Sequence, residues 1–347
     1  MSEREIRHSN ATMTLWKKLR FTLEAAALRL LAWGIPKLDR QGCVHLANAI
    51  GELGALLDRR GRAVALANVE CAFGDSLSPA QRESIVRESY RNFVRAMVDL
   101  FWAPRVTSEH IRTHGYEAVK ERAARENRGI LYISLHAGNW EWANLGCGLA
   151  GLPSIAVAEH FANPAVAPVI TRLREATGQE IIPQENSMLR MMRAVKRGGR
   201  AGFLCDLGVH PTQAATVIRI FGLEISASII HAVLAERANA LLVVLHTTPQ
   251  SDGTCDVRAE VIEMPAGLSS REIAQRCWDH FEPRLRREPG LWMWPYKHFR
   301  YRPKNTTRGY PFYANESGAF EKLRKKEGVG KMTQDGRQVD NHPLHGL

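Results

Sequence analysis

From residue 129 onward the chain alternates. Short apolar runs, "ILYISL", "SIAVA", "AGFLC", "LLVVLH" and "VRAEVIE", are separated by stretches of helical character near 138–150, 164–177, 187–198, 226–238 and 270–287. Runs this short, rich in Val, Ile and Leu, suit buried strands. Strand–helix alternation packs as a sheet covered by helices, so the expected fold is α/β, with a mixed or largely parallel sheet. Before it, residues 14–128 read as helical. "SLSPAQRESIVRESYRNFVRAMVDLFW" opens with a capping box, Ser78 and Gln81, with Pro79 at the first helical position. Ile85, Phe93, Met97 and Leu100 then keep helical spacing. Pro303 closes the regular pattern. Residues 305–347 are polar and read as a flexible tail or weakly docked appendage, with "KLRKKEGVGK" a solvated charge patch. The expected division is 1–128, an N-terminal helical, membrane-associating region; 129–304, an α/β core continuous with those helices; and 305–347, the tail.

Of the 347 residues, 45% are hydrophobic, which excludes wholesale disorder. The net charge of +11 suits an anionic partner: a membrane surface, a phosphorylated substrate, an acidic carrier protein or nucleic acid. The six cysteines form no CxxC pair, so neither a zinc ribbon nor a dense disulfide framework is indicated, and a reducing compartment is the default. Residues 1–20 are polar and carry no secretory signal. "FTLEAAALRLLAWGIP" is too short and too interrupted, by Glu24 and Arg29, to span a bilayer. Leu23, Ala27, Leu30, Leu31 and Gly34 can share one helical face, flanked by Trp16, Lys17, Lys18, Arg20, Trp33 and Lys37. That pattern fits a helix lying in a membrane interface, and equally a helix packed on a core.

The run "LYISL" ends at His136, Gly138 permits a tight turn, and "NWEWANLGCGLAG" can start a helix. Ligands of open α/β sheets bind beyond the carboxyl ends of strands, where His136 would sit. Glu141 follows five residues later. A carboxylate on one imidazole nitrogen fixes the tautomer and lets the other nitrogen take a proton from a hydroxyl, so His136 and Glu141 are the candidate catalytic pair. A His-x4-Glu spacing alone is a weak signal.

Its context is stronger. "HAGNWE" resembles the His-x4-Asp/Glu signature of the lysophospholipid acyltransferase superfamily, and more closely the "HxGNWE" form of the bacterial lipid A biosynthesis acyltransferases, the lauroyl and myristoyl transferases. "LANVECAFGDSLSPAQRESIVRESYRNF", "GGRAGFLCDLGVHP", "TVIRIFGLEISASIIHAVLAERANALLVVL" and "PGLWMWPYKHFRYRP" resemble further segments of that family in the same order, over roughly residues 14–303. The chain departs from it at Asp206-Leu207, where the family often has Asp-Gln, and at "AEHFANP". "VAEHFANPAVAPVITRLREATGQEIIP" is instead similar to the mycobacterial mannoside acyltransferases. The resemblance implies O-acyl transfer from an acyl carrier protein or coenzyme A thioester to a hydroxyl of a lipid A precursor or related glycolipid. A phosphoglycolipid, mannoside or lysophospholipid acceptor is the alternative. It implies no metal or redox cofactor, the thioester being a co-substrate, and a peripheral or monotopic place on the cytoplasmic face of the inner membrane.

Further residues fall to substrate binding. Arg174 is read either as a phosphate or thioester ligand, which the resemblance implies, or as a surface arginine. Asn139 and Trp140 are read as shaping the turn, with substrate contact the lesser role. Asp206 is read as lining the cleft or as a helix N-cap, and Phe221-Gly222 as a structural turn in which Gly222 lets backbone approach the acyl groove. Lys297 and Arg300, with His298 and Arg302, interleave with Trp292, Trp294, Tyr296, Phe299 and Tyr301. Aromatics with cations suit a lipid headgroup interface or phosphate. They also suit single-stranded nucleic acid, but no nucleic-acid motif accompanies them. A metal hydrolase built on His136, Glu141, His160 and Asp206 is the remaining rival.

Overall fold

The computed structural model describes residues 14–157 and 161–329. Four helices come first: α1 (Leu15–Gly34), α2 (Arg40–Leu57), α3 (Arg59–Phe73) and α4 (Pro79–Trp102). Ser78 and Gln81 form the expected capping box at the start of α4. The alternating region follows as β1 (Ile111–His114), α5 (Tyr116–Glu126), β2 (Ile130–Ser134), α6 (Trp140–Leu149), β3 (Ile155–Val157), α7 (Ala167–Arg174), β4 (Glu180–Ile182), α8 (Ser187–Lys196) and β5 (Arg200–Leu204). Next come a hairpin, β6 (Ala215–Ile220) and β7 (Leu223–Ser228), then α9 (Ile230–Ala238), β8 (Leu241–Pro249), β9 (Cys255–Val261) and α10 (Ser270–Arg287). The chain closes with β10 (Tyr301–Arg302), β11 (Asn315–Glu316) and α11 (Gly318–Lys326).

One seven-stranded sheet runs β1-β9-β8-β2-β5-β3-β4. Its pairs are parallel except β8 with β9. β2 lies between β5 and β8, and every residue of it is buried. The strand period of two divides the core between its faces. Leu131, Ile133 and Leu135 join the cluster that holds Ala232, Leu234, Trp278 and Phe281. Ile130 and Tyr132 join the one that holds Trp142, Leu145, Val119 and Trp102. Each fully buried Leu or Ile of β2 contributes about 1.5–3 kcal/mol relative to exposure.

The structure differs from the sequence reading at three places. β1 falls within 1–128, and it pairs with β9 as part of the sheet, so that region is not helical throughout. Residues 226–228, read as helix, complete β7; Phe221 (φ 51°) and Gly222 (φ 71°) form its two-residue turn between Ile220 and Leu223. Both central residues at positive φ match the twist that hairpins favour. The group closest to Gly222 is the Arg308 guanidinium, which donates to Phe221 O at 2.9 Å, so this glycine accommodates an arginine rather than an acyl groove. Residues 305–329 are docked rather than loose. α11 packs Phe320 and Leu323 against Ala215 and Val217, and the "KLRKKEGVGK" run sends Arg324 to Glu224 at 2.6 Å. Tyr313 bonds Asn68 of α3. Residues 330–347 lie outside the described part.

Glu224 is almost fully buried, with Arg219 the next cation at 4.0 Å. Arg324→Ala should therefore strand a buried carboxylate and cost about 3–5 kcal/mol, measured by urea unfolding. Loss of less than about 1 kcal/mol would show that α11 does not stabilise the hairpin.

Candidate active site

β2 and β5 leave the sheet in step. Ser134 pairs with Leu204, and Cys205 N donates to Ser134 O at 3.1 Å. Two residues beyond that pair, His136 faces Asp206. The imidazole Nδ1 lies 2.8 Å from Asp206 Oδ1, and His136 N donates to Asp206 Oδ2 at 3.0 Å. Trp292 Nε1 donates to Oδ2 as well, at 2.9 Å. With its oxygens so occupied, Asp206 accepts from Nδ1–H and leaves Nε2 as the basic nitrogen. Nε2 makes no hydrogen bond among the described residues, and the His136 side chain keeps 15% of its surface exposed.

Burial alone would push the imidazole pKa down; Asp206, and then Glu141, more than offset it, so His136 is raised above its usual value. For Asp206, burial pushes the carboxyl up, but His136, His298 and the Trp292 N–H outweigh it and hold it below the usual range. Each group of the pair thus favours the charged form of the other.

Glu141 does not occupy the second imidazole nitrogen, as the spacing suggested. It is buried on the first turn of α6 and binds Arg174 of α7 through two bonds, Nε to Oε2 at 2.9 Å and Nη2 to Oε1 at 2.6 Å. Five residues, 135–139, bend the chain from β2 into α6, and that bend aims the two side chains at different partners. Both Glu141 and Arg174 act electrostatically on His136, so the four groups share one site.

The turn between them is tightly specified. Gly138 has φ 61°, and a Cβ there would stand 2.5 Å from Thr247 Oγ1 and 2.7 Å from Thr247 O. Thr247 Oγ1 accepts from Asn139 N at 2.9 Å and donates to Ala137 O at 3.0 Å. Asn139 caps α6 by accepting from Trp142 N at 3.1 Å, and its Nδ2 donates to Asp99 Oδ2 at 2.7 Å. Asp99, buried in α4, also binds Arg40 at 2.5 Å, and the Arg40 guanidinium lies 4.6 Å from the ring centres of both Trp102 and Trp142. From the C-terminal side, Gly138 N donates to Leu291 O at 2.8 Å and Met293 N to His136 O at 3.1 Å.

The substrate-binding candidates divide accordingly. Asn139 has no exposed surface, and its side chain is committed to the α6 cap and to Asp99, so it positions the turn. Trp140 is buried with its ring 5.3 Å from that of His136. Asp206 is the imidazole partner rather than an N-cap. Lys297 and Arg300 are exposed, but Trp292, Trp294 and Phe299 of the same segment are fully buried, so these aromatics are core and not a headgroup surface. His298 is buried too, stacked on Trp292 with centroids 3.8 Å apart. His160, the fourth member of the metal-hydrolase reading, lies outside the described residues. Sequence reasoning missed Asp99, Thr247 and the true partner of His136. A signal for the last existed: His136 and Asp206 stand at equal offsets beyond two adjacent strands.

A mainly parallel α/β sheet with an imidazole–carboxylate pair beyond its central strand defines a protein equipped for acid–base chemistry at the strand ends. Residues 17–301 match the family described as bacterial lipid A biosynthesis acyltransferase, and the chain belongs to that family. It is an acyltransferase, acting with a lipid acceptor and an acyl donor. Among curated proteins none matches the chain.

Asn139→Ala removes the α6 cap and one donor to buried Asp99. It should cost about 1–2 kcal/mol of stability and lower kcat without moving the pH at which activity rises, since Asp206 stays on His136. A shifted pH profile would place Asn139 in the proton-transfer unit itself.

Proposed function

We propose that this acyltransferase moves a fatty acyl chain from the thioester of an acyl carrier protein or coenzyme A onto a hydroxyl of a lipid A precursor or related glycolipid, with His136 as general base. The observation that carries this reading is the His136–Asp206 pair with Nε2 unengaged. The acceptor hydroxyl passes its proton to Nε2 as its oxygen bonds the thioester carbonyl carbon. The tetrahedral intermediate collapses with cleavage of the C–S bond, and the imidazolium proton goes to the leaving thiolate. Asp206 stabilises the imidazolium meanwhile, the role a buried carboxylate plays in catalytic triads. Glu141 then serves chiefly to hold Arg174 beside the base, where its positive charge favours the oxyanion or an anionic group of the substrate. Lys297 and Arg300, exposed on the segment that returns to His136 through Met293, suit an acidic carrier or phosphorylated acceptor.

Membrane association is part of the same proposal. No described helix is long and apolar enough to cross a bilayer. α1 nevertheless exposes Leu15, Trp16, Leu19, Leu23, Leu30, Leu31 and Trp33, and α2 exposes Ile50, Leu53, Leu56 and Leu57. Only Phe21 and Ala25 of α1 are buried. An apolar ridge with Lys17, Lys18, Arg20 and Lys37 at hand is what a helix uses to lie in an anionic interface, here the cytoplasmic face of the inner membrane.

His136→Ala should lower kcat about 10²–10⁴-fold. Because Asp206 raises the His136 pKa, Asp206→Asn should lower kcat and move the rising limb of the pH–rate profile to lower pH. Glu141→Gln should move it less, in the same direction. Wild-type turnover by His136→Ala, or an unmoved limb in Asp206→Asn, would sink the mechanism. Mass spectrometry of the lipid products distinguishes a lipid A precursor from a mannoside or lysophospholipid acceptor.

Replacing Trp16, Leu23, Leu53 and Leu57 together by Gln should reduce co-sedimentation with anionic phospholipid vesicles at least several-fold while leaving the fold intact by circular dichroism. Unchanged sedimentation would remove the ridge from the account.

A further inference from the structure

Beyond the acyl-transfer site, three side chains converge on the other flank of β8. His246 of β8, Glu260 of β9 and His280 of α10 each offer a ligand atom, and these atoms lie within 4.8 Å of one another. Antiparallel pairing brings the strands into place: Val244 faces Glu260, and His246 sits two residues on, on the same face. The two imidazoles are stacked, 15° from parallel with centroids 5.4 Å apart. His280 Nε2 lies 3.4 Å from Glu260 Oε2. That is longer than a normal hydrogen bond, but it is close to the edge of a tetrahedron of metal ligands, about 3.3 Å for bonds of about 2.0 Å.

A second observation is independent of that spacing. His246 is largely buried and lines a cavity of about 20 Å³ with Phe281, Arg284 and Thr247, yet neither of its ring nitrogens has a hydrogen-bond partner among the described residues. A ring nitrogen of His246 is therefore available to a ligand.

We propose that His246, Glu260 and His280 form a binding site for a divalent transition-metal ion of the zinc type, separate from the catalytic pair, with the fourth position left to water. The donor set, two imidazoles and one carboxylate, selects among metals. Hard ions such as Mg²⁺ and Ca²⁺ would find a single carboxylate here, whereas zinc, nickel and copper bind imidazole directly. Arg284 is already committed, donating to Thr247 O at 2.7 Å and Thr248 Oγ1 at 2.8 Å and pairing with Glu288 at 3.2 Å. A bound ion would pin α10 to β8 and β9 next to Thr247, the residue that shapes the turn after His136.

The test uses the untagged full chain after chelator treatment and dialysis. Titration with ZnCl₂ by calorimetry, and with Co²⁺ followed by its visible d–d bands, should give one saturable site. His280→Ala and Glu260→Gln alter partly exposed side chains. Each should weaken binding by more than the about 10–100-fold that loss of an outer-shell partner costs, and should abolish the Co²⁺ bands. Absence of a one-to-one site in the wild type, or equal affinity in wild type and His280→Ala, would overturn the proposal and assign any uptake to other histidines.

Discussion

The register between β2 and β5 governs the site. Parallel neighbours whose ends coincide deliver the next residues of each chain side by side, and here those residues are an imidazole and a carboxylate. A slip of one residue would send one side chain to the opposite face and leave Asp206 buried without its cation. The pairing is fixed by β2, buried along its whole length, so the precision of the site is inherited from the core rather than from the loop that carries His136.

Three carboxylates of the site, Asp99, Glu141 and Asp206, are almost fully buried. Each is met by donors on another element: Arg40 and Asn139 on Asp99, Arg174 on Glu141, His136 and Trp292 on Asp206. An unpaired buried charge costs several kcal/mol, so any displacement of the turn breaks more than one such pairing. The "HAGNWE" segment is thereby held from α4, α7, β5, β8 and the C-terminal segment at once. Within it, Asn139 and Gly138 serve the backbone, and His136 keeps its Nε2 unengaged.

How much of this was legible depends on where the information lies. β2, β5, β8 and β9 are apolar runs, and the sequence shows them directly. β1 ("IRTH") and β4 ("EII") are short edge strands with polar residues, so no period marks them. The β6–β7 hairpin is buried along nearly its whole length, which erases alternation. The C-terminal segment looks polar because few anchors, Tyr310, Tyr313, Phe320 and Arg324, do the docking. His136 and Glu141 were singled out because a motif exposes neighbours along the chain. The partner that holds the imidazole comes from another strand, and only pairing reveals it.

Trp292 lies 86 residues beyond Asp206, the carboxylate it steadies. Synthesis at about 5–20 residues per second separates the two by roughly 4–17 s. Through that interval a nascent chain already carries the whole "HAGNWE" motif, yet its aspartate lacks one of its donors and its turn lacks the Leu291 and Met293 contacts. The centre is thus completed by the last part of the family-matched region to leave the ribosome, and a prematurely terminated product would contain every residue of the motif and still be an unfinished enzyme.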